Sequence, residues 1–474
     1  MEKKTTCIRI NGGKELVGSI LIEPNKNAVL PAICASVLTK EDCIMHHVPK
    51  SPDVLKLVQA ITELGGTHEW NNSTLILNCK NVENIPISDC VADIQSAILF
   101  AGPMLARFGT VNIPVAIGCK LGYRGPEDHI EYLSKFGASC KVENNNRVVF
   151  NINRSVLVDN DEGYKISLET IIKQFIFSES SVTPTENLLM LLSVVTKFDA
   201  KLEGIASEPH IKFLIKILKQ MGMGISGEGS ILTTTGYVGE LRGFEIDFEN
   251  EPDYVDFYGT AISVALTQGT VKLICKPTLT IQYMVSELKK TGIDCSVVSD
   301  GVIIRGSCST FSPNEGFPKA RNNEQGIIWK LNPKPWSGFP VDCLPSFIVW
   351  ASVNQHQNTK VTVDNWMYED GLAYVHQLNE LGAHIKTIPT EIGEQKIFIS
   401  DIGSEEYFSK DTDKEIVIDG VPVIEGARCL FSASLARNGT TIIKDIGPLL
   451  RRSPDFIKKF QELGADIEIL EQEN

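Results

Sequence analysis

Three places in the chain gather side chains that a packed core does not select. The first is Glu23-Pro-Asn-Lys-Asn-Ala-Val-Leu-Pro31, where an alternating strand pattern gives way to an apolar helix start. At such a junction Lys26 and Asn27 can aim an ammonium, an amide and backbone N–H groups at an anion. A capped helix with a solvated lysine is the competing reading. The second is Gly118-Cys119-Lys120-Leu-Gly122-Tyr-Arg124-Gly125-Pro126-Glu127-Asp128-His129. A thiol among glycines, with Lys120 and Arg124 close in sequence, sits in positive surroundings that lower its pKa and suit it to acid or nucleophilic work. His129 can orient a ligand or simply hydrogen-bond its own loop. The third is a late set: Asp342 after Phe339-Pro340, Glu369 after Met367-Tyr368, and the pair Arg451-Arg452. Asp342 can serve as a general base or cap a helix. The arginines can bind an anion or line a solvated face.

These residues must be positioned by regular elements, and the sequence repeats one such unit six times. Each copy is an amphipathic helix that runs into a glycine and then an extended segment. The copies are Val58 to Gly65, Ile130 to Gly137, Ile215 to Gly222, Val285 to Gly292, Val375 to Gly382 and Ile457 to Gly464. Glycine suits the left-handed residue that ends a helix. The segment beyond each glycine, such as Ala465-Asp-Ile-Glu-Ile, alternates as a half-buried strand does. Gly109-Thr-Val, Gly269-Thr-Val and Gly439-Thr-Thr open further strands between the helices. The repeat length of about 70 to 90 residues exceeds the roughly 20 to 50 of stacked solenoid modules. Six units in two groups of three predict two domains: 26–251, carrying Lys26, Cys119 and Arg124, and 1–25 plus 252–474, carrying Asp342 and Arg451. Residues 306–338 and 388–412 fit the repeat poorly and read as surface insertions or lids.

Composition narrows the function classes. A chain of 474 residues with 43% apolar and 22% charged side chains is a globular α/β protein of more than one core. A net charge of −14 opposes a phosphate-tracking surface, so no nucleic-acid partner is expected, although a few converging cations can still make a local anion pocket. No stretch reaches the roughly 18 apolar residues of a membrane span, and the start lacks a signal-peptide pattern, so a cytoplasmic protein is expected. Twelve cysteines occur without a CxxC pair, which predicts neither a metal centre nor a disulfide framework, and no cofactor.

In order and context these motifs resemble the enolpyruvyl transferase superfamily, and within it the UDP-N-acetylglucosamine 1-carboxyvinyltransferase family. Lys26-Asn27-Ala-Val-Leu-Pro, Gly102-Pro-Met-Leu-Ala-Arg-Phe-Gly109, Gly118-Cys119-Lys-Leu-Gly-Tyr-Arg124, Ser181-Val182-Thr-Pro-Thr-Glu-Asn187 and Phe339-Pro-Val-Asp342 carry the likeness, which runs from about Ile8 to Ile469. The resemblance implies two inside-out α/β (α+β) barrel domains of three βαβ-type repeats each, of the EPSP synthase type. It implies phosphoenolpyruvate held by Lys26, Asn27, Arg124 and Arg451, with Cys119 as general acid, Asp342 as base and a cleft that closes on its small-molecule substrates. Asn27, Gln95, Gly125, Pro126, Glu127, Asp128, His129, Glu179, Ser181, Val182, Asp342, Met367 and Glu369 fall where that family holds its acceptor. A monomer or weak homo-oligomer is expected.

Departures cluster on the acceptor side. Gln95 replaces an arginine, Glu179 replaces a lysine, Gly125-Pro126-Glu127-Asp128 replaces the uridine loop, and Gly371 stands where an arginine is expected. Near Glu425 an Asp-x-Arg pattern is missing unless Arg428 substitutes. Replacing lysine by glutamate beside a diphosphate reverses a local charge. The phosphoenolpyruvate half thus reads as preserved and the acceptor half as rebuilt, consistent with enolpyruvyl transfer to a different nucleotide-like hydroxyl in a specialised pathway. The standard peptidoglycan-precursor enzyme, a fold relative with elimination or cyclisation chemistry, and a phospho-ligand-binding protein are the alternatives.

Overall fold

All six helix–glycine units form as their sequence period demands. The helices Pro52–Glu63, Glu127–Ser134, Pro209–Met221, Leu279–Lys290, Val375–Glu380 and Phe456–Glu462 lead to Gly65, Gly137, Gly222, Gly292, Gly382 and Gly464. The six glycines have φ of 100°, 90°, 115°, 89°, 104° and 96°, a region that costs other residues about 1–2 kcal/mol. The computed structural model describes residues 5–114, 126–143, 146–157, 172–195, 198–235, 239–314, 316–323, 326–353, 360–367, 371–390, 393–399 and 415–472.

After each glycine the chain enters a strand of one of six sheets among the described residues. Each sheet mixes hairpin pairing with a strand brought in from elsewhere. Thr270–Ile274, for example, pairs antiparallel with Gly301–Arg305 and parallel with Val17–Leu21. A second set of helices is buried on nearly every side: Lys26–Ala35, Ala101–Phe108, Val182–Leu192, Tyr254–Leu266, Leu344–Val353 and Ile424–Ala436. All ten residues of Leu344–Val353 are buried. A helix apolar on every side belongs in a core. Helices therefore fill the interior and half-buried sheets cover them, which is the inside-out α/β arrangement.

The buried side chains fall into two clusters. One runs from Ala28 to Phe248, and the other joins Ile8 to Ile22 with Tyr254 to Ile467. The chain passes between them twice, side by side. Pro24 and Pro252 form a bridge, the Asn25 N–H donates to the Glu251 carbonyl at 2.8 Å, and the Asp253 N–H donates to the Glu23 carbonyl at 2.9 Å.

The expectation of surface insertions is corrected. Within 306–338, strands Lys319–Asn323 and Gly326–Leu331 extend a five-stranded sheet, and Phe311, Phe317, Trp329 and Leu331 are buried in the second cluster. Proline and glycine mark the turns of this segment, while its aromatics supply core. Of 388–412, the described part is a hairpin, Ile385–Thr390 with Gly393–Ile399, whose Ile397 and Ile399 are buried; 400–414 lies outside the described residues. Among the described residues no helix is long and apolar enough to cross a membrane. Eleven described cysteines are free and eight of them are buried, so burial of small thiol side chains accounts for most of the cysteine content.

Candidate active site

Lys26 opens the helix Lys26–Ala35, whose cap Asn25 accepts the Asn27 N–H at 3.0 Å. The lysine is not solvated. It is 8% exposed, and its Nζ lies 2.7 Å from Oδ2 of Asp53, itself 4% exposed. The other Asp53 oxygen accepts from Arg451 Nη2 at 3.4 Å. Lys26 and Asp53 come from the part of the chain that builds the first cluster, and Arg451 from the part that builds the second. One carboxylate thus ties together two predicted anion-binding residues from opposite sides of the junction. Lys26 and Arg451 thus share one carboxylate partner in this structure. Burial pushes the Asp53 carboxyl up, but Lys26 and Arg451 outweigh it and hold it below the ordinary carboxylate range.

Asp53 escaped the sequence reading because Ser51-Pro52-Asp53 is explained without function. Ser51 caps the helix Pro52–Glu63, proline fits its first turn, and an acid there suits the helix dipole. The distinguishing signal is the depth of the site, which a sequence does not display.

Arg452, read as a possible solvated face, is largely withdrawn from solvent, with 11% of its side chain exposed. It donates to Asp253 Oδ2 and Glu425 Oε1, both at 2.6 Å. Asp253 in turn caps the helix Tyr254–Leu266 through the N–H groups of Val255 and Asp256. The helix Gly447–Arg452, which carries Arg451, is therefore anchored by its last residue. Arg428 does not replace the missing family arginine in the site, because it is buried against Asp256 and Thr260. Burial first, then Asp342 and Asp253, push the Glu425 carboxyl up to about 7 against the pull of Arg452 and Arg428.

Asp342 lies in the short turn Val341–Cys343 that leads into Leu344–Val353, and it is half-buried. Its charge acts on Glu425, on Arg452 and on Glu208. Glu208, raised chiefly by burial and in part by Asp342, precedes the helix Pro209–Met221 of the first cluster. Asp342 thus faces acids from both sides and a guanidinium adjacent in sequence to Arg451. Sequence reasoning missed Glu208 and Asp253 entirely.

His129, expected at the acceptor, has both ring nitrogens on internal partners: Asn187 Nδ2 at 3.0 Å and Thr183 Oγ1 at 3.2 Å. Burial pushes its pKa down to about 3, so it stays neutral. Both ring nitrogens are thus engaged within the protein in this structure. Asn187 is the hub of this joint, donating also to the Ile98 carbonyl and accepting from the Gly102 N–H at 2.6 Å. A Cβ on Gly102 would lie 2.2 Å from the Asn187 carbonyl oxygen, so the glycine allows the helices Ala101–Phe108 and Val182–Leu192 to meet. The Gly102 and Asn187 positions of two family-like motifs therefore pack against each other. Gln95 starts a short helical segment, Gln95–Phe100, and is half-buried. Ser181 caps Val182–Leu192 by position, and both Ser181 and Val182 are half-buried. Glu179, Glu127 and Asp128 are exposed, and Pro126 and Met367 are half-buried. Cys119, Arg124, Gly125 and Glu369 lie outside the described residues.

A family profile of EPSP synthase (3-phosphoshikimate 1-carboxyvinyltransferase) matches residues 10–274. The chain is 28% identical over 466 residues to UDP-N-acetylglucosamine 1-carboxyvinyltransferase of Treponema denticola, covering 98% of this chain and 99% of that one. It is 26% identical over 473 residues to the protein of the same name from Campylobacter jejuni, covering 98% and 100%. Among solved structures, the enolpyruvyl transferase NikO from Streptomyces tendae matches with a TM-score of 0.76 at 14% identity, covering 99% of this chain and 100% of that one. EPSP synthase from Acinetobacter baumannii matches with a TM-score of 0.66 at 16% identity, covering 98% and 100%. These two likenesses establish the fold, and the profile match over more than half of the length establishes the family. The chain belongs to the EPSP synthase family of carboxyvinyl transferases.

Proposed function

We propose that the protein transfers the enolpyruvyl group of phosphoenolpyruvate to a hydroxyl of a nucleotide or nucleotide-sugar-like acceptor, releasing phosphate, in a specialised biosynthetic pathway of the cytoplasm. The observation that carries this reading is the Lys26–Asp53–Arg451 group. Two cations against one carboxylate leave net positive charge in a recess, which suits a small dianion. Lys26, Asn27, Arg451 and Arg124 hold the phosphate and carboxylate. Cys119 delivers a proton to the terminal methylene carbon, and the acceptor oxygen bonds to the cationic carbon so formed while Asp342 takes its proton. Loss of phosphate from the tetrahedral intermediate, with return of a methyl proton to a base, yields the enol ether. The parts 26–251 and 1–25 plus 252–474 act as two domains around this cleft, in a monomer or weak homo-oligomer.

The acceptor is where the chain departs from its relatives. Glu179 is exposed where the family resemblance places a lysine, and an exposed carboxylate repels a diphosphate. A second reading, the transferase of peptidoglycan precursor synthesis, is favoured by the end-to-end match to relatives named UDP-N-acetylglucosamine 1-carboxyvinyltransferase. Calorimetric titration with UDP-N-acetylglucosamine separates the two. The altered-acceptor reading expects binding weaker by about 100-fold or more in Kd than a standard enzyme shows alongside it, about 3 kcal/mol. Binding equal to that enzyme establishes the second reading.

A further inference from the structure

Beside the chain crossing lies a cavity of about 240 Å³ lined by none of the residues assigned to the transfer reaction. The helix Pro209–Met221 supplies Lys212, Phe213 and Lys216, the start of Leu279–Lys290 supplies Leu279, and the walls are completed by Trp336 and Glu251. Three features of the lining point to a ligand. Glu251 is 7% exposed, and its Oε1 has no hydrogen-bond partner among the described residues. Leu279 is 84% exposed. Lys212 and Lys216 stand one helical turn apart on the exposed side of their helix, the Lys216 ammonium 5.8 Å from the Phe213 ring centroid. Trp336 is held in place by Tyr254 and Tyr283, with ring centroids at 5.8 and 5.1 Å. Its carbonyl accepts from Ser207 Oγ at 2.8 Å, which joins the two clusters at this wall.

We propose that this cavity is a second small-molecule site that takes a zwitterion with an apolar ring, the class of an aromatic α-amino acid. Its ammonium meets the Glu251 carboxyl, its carboxylate meets Lys212 and Lys216, and its ring lies against Phe213, Leu279 and Trp336. The lining supports this class over a simple anion, because a buried acid and two lysines share one cavity with apolar and aromatic walls. Burial and Asp253 push the Glu251 carboxyl up to about 7 while Lys212 opposes them, and an arriving ammonium draws it to the ionised form.

The site is wired to the chemistry through the backbone. The Glu251 carbonyl accepts the Asn25 N–H, Asn25 caps the helix that begins with Lys26, and Lys26 reaches Arg451 through Asp53. Occupancy beside Glu251 therefore biases the geometry of the crossing on which both cations depend.

The test is calorimetric titration of the whole protein with L-phenylalanine, phenylpropionate and phenethylamine, each to about 10 mM. The proposal expects saturable binding of L-phenylalanine, with each one-charge analogue weaker by about tenfold or more. Glu251→Gln then equalises L-phenylalanine and phenylpropionate. Lys216→Glu, at an exposed position, weakens L-phenylalanine and spares phenethylamine. The proposal is overturned by absence of saturation with L-phenylalanine. It is equally overturned by variants that bind all three probes as the parent does, or by displacement of L-phenylalanine by phosphoenolpyruvate in simple competition.

Discussion

Asp53→Ala is expected to lower kcat/KM for phosphoenolpyruvate by about 100-fold and to destabilise the protein by about 3–5 kcal/mol. The stability loss comes from leaving Lys26, 8% exposed, without the carboxylate 2.7 Å from its ammonium. The kinetic loss comes from releasing Arg451, which Asp53 holds across the junction. Asp53→Asn separates the two effects. It keeps an oxygen acceptor and recovers part of the stability, but it no longer balances the two cations, so the kinetic defect persists. Urea denaturation and phosphate-release kinetics on both variants check this. The pH dependence has a definite sign. The folded pKa of Asp53 lies below its unfolded value, so its contribution is present above about pH 4 and is lost as pH falls through the folded value. Asp53→Asn should flatten the acid limb of the stability profile.

The second large effect concerns the neighbouring arginine. Arg452→Ala removes the cation shared by Asp253 and Glu425 and leaves two buried carboxylates near Asp342. The cost is about 3–5 kcal/mol, read as a lower urea midpoint at unchanged slope. Combining Arg452→Met with Glu425→Gln should cost less than the two single changes summed, because Glu425 no longer adds a buried charge when Arg452 is gone and only Asp253 loses its cation. Arg451, with 28% of its side chain exposed, should behave oppositely: its alanine variant loses activity and little stability. Under the proposed function, adjacent arginines divide the work, one anchoring the helix end and one meeting phosphoenolpyruvate.

Much of the architecture was written locally. Six glycines at helix ends, the strands after them and the all-apolar helices such as Leu344–Val353 each obey short-range rules that a sequence displays. The segment 306–338 misled because its prolines and glycines speak for turns, whereas Phe311 packs on Phe347 and Trp329 lies on a strand paired with Lys360–Asp364. In the site, Lys26, Asp342 and Arg451 stood out by type and neighbours. Asp53 and Asp253 did not, since an acid in the first helical turn or at a cap already has a local reason to be there. His129 stood out and proved internal, because a histidine's partners, Asn187 and Thr183, lie more than 50 positions away. Pairings of this range depend on the fold, and composition does not reveal them.

The most direct measurement is inorganic phosphate released from phosphoenolpyruvate by the wild-type protein and by Arg451→Ala, across a panel of sugar nucleotides, nucleotides and shikimate-like alcohols. The account predicts release that requires one class of acceptor, matches the enol ether formed mole for mole, and falls by about 100-fold or more in the variant. Failure of every acceptor in the panel to elicit release, or equal release by Arg451→Ala, would contradict it.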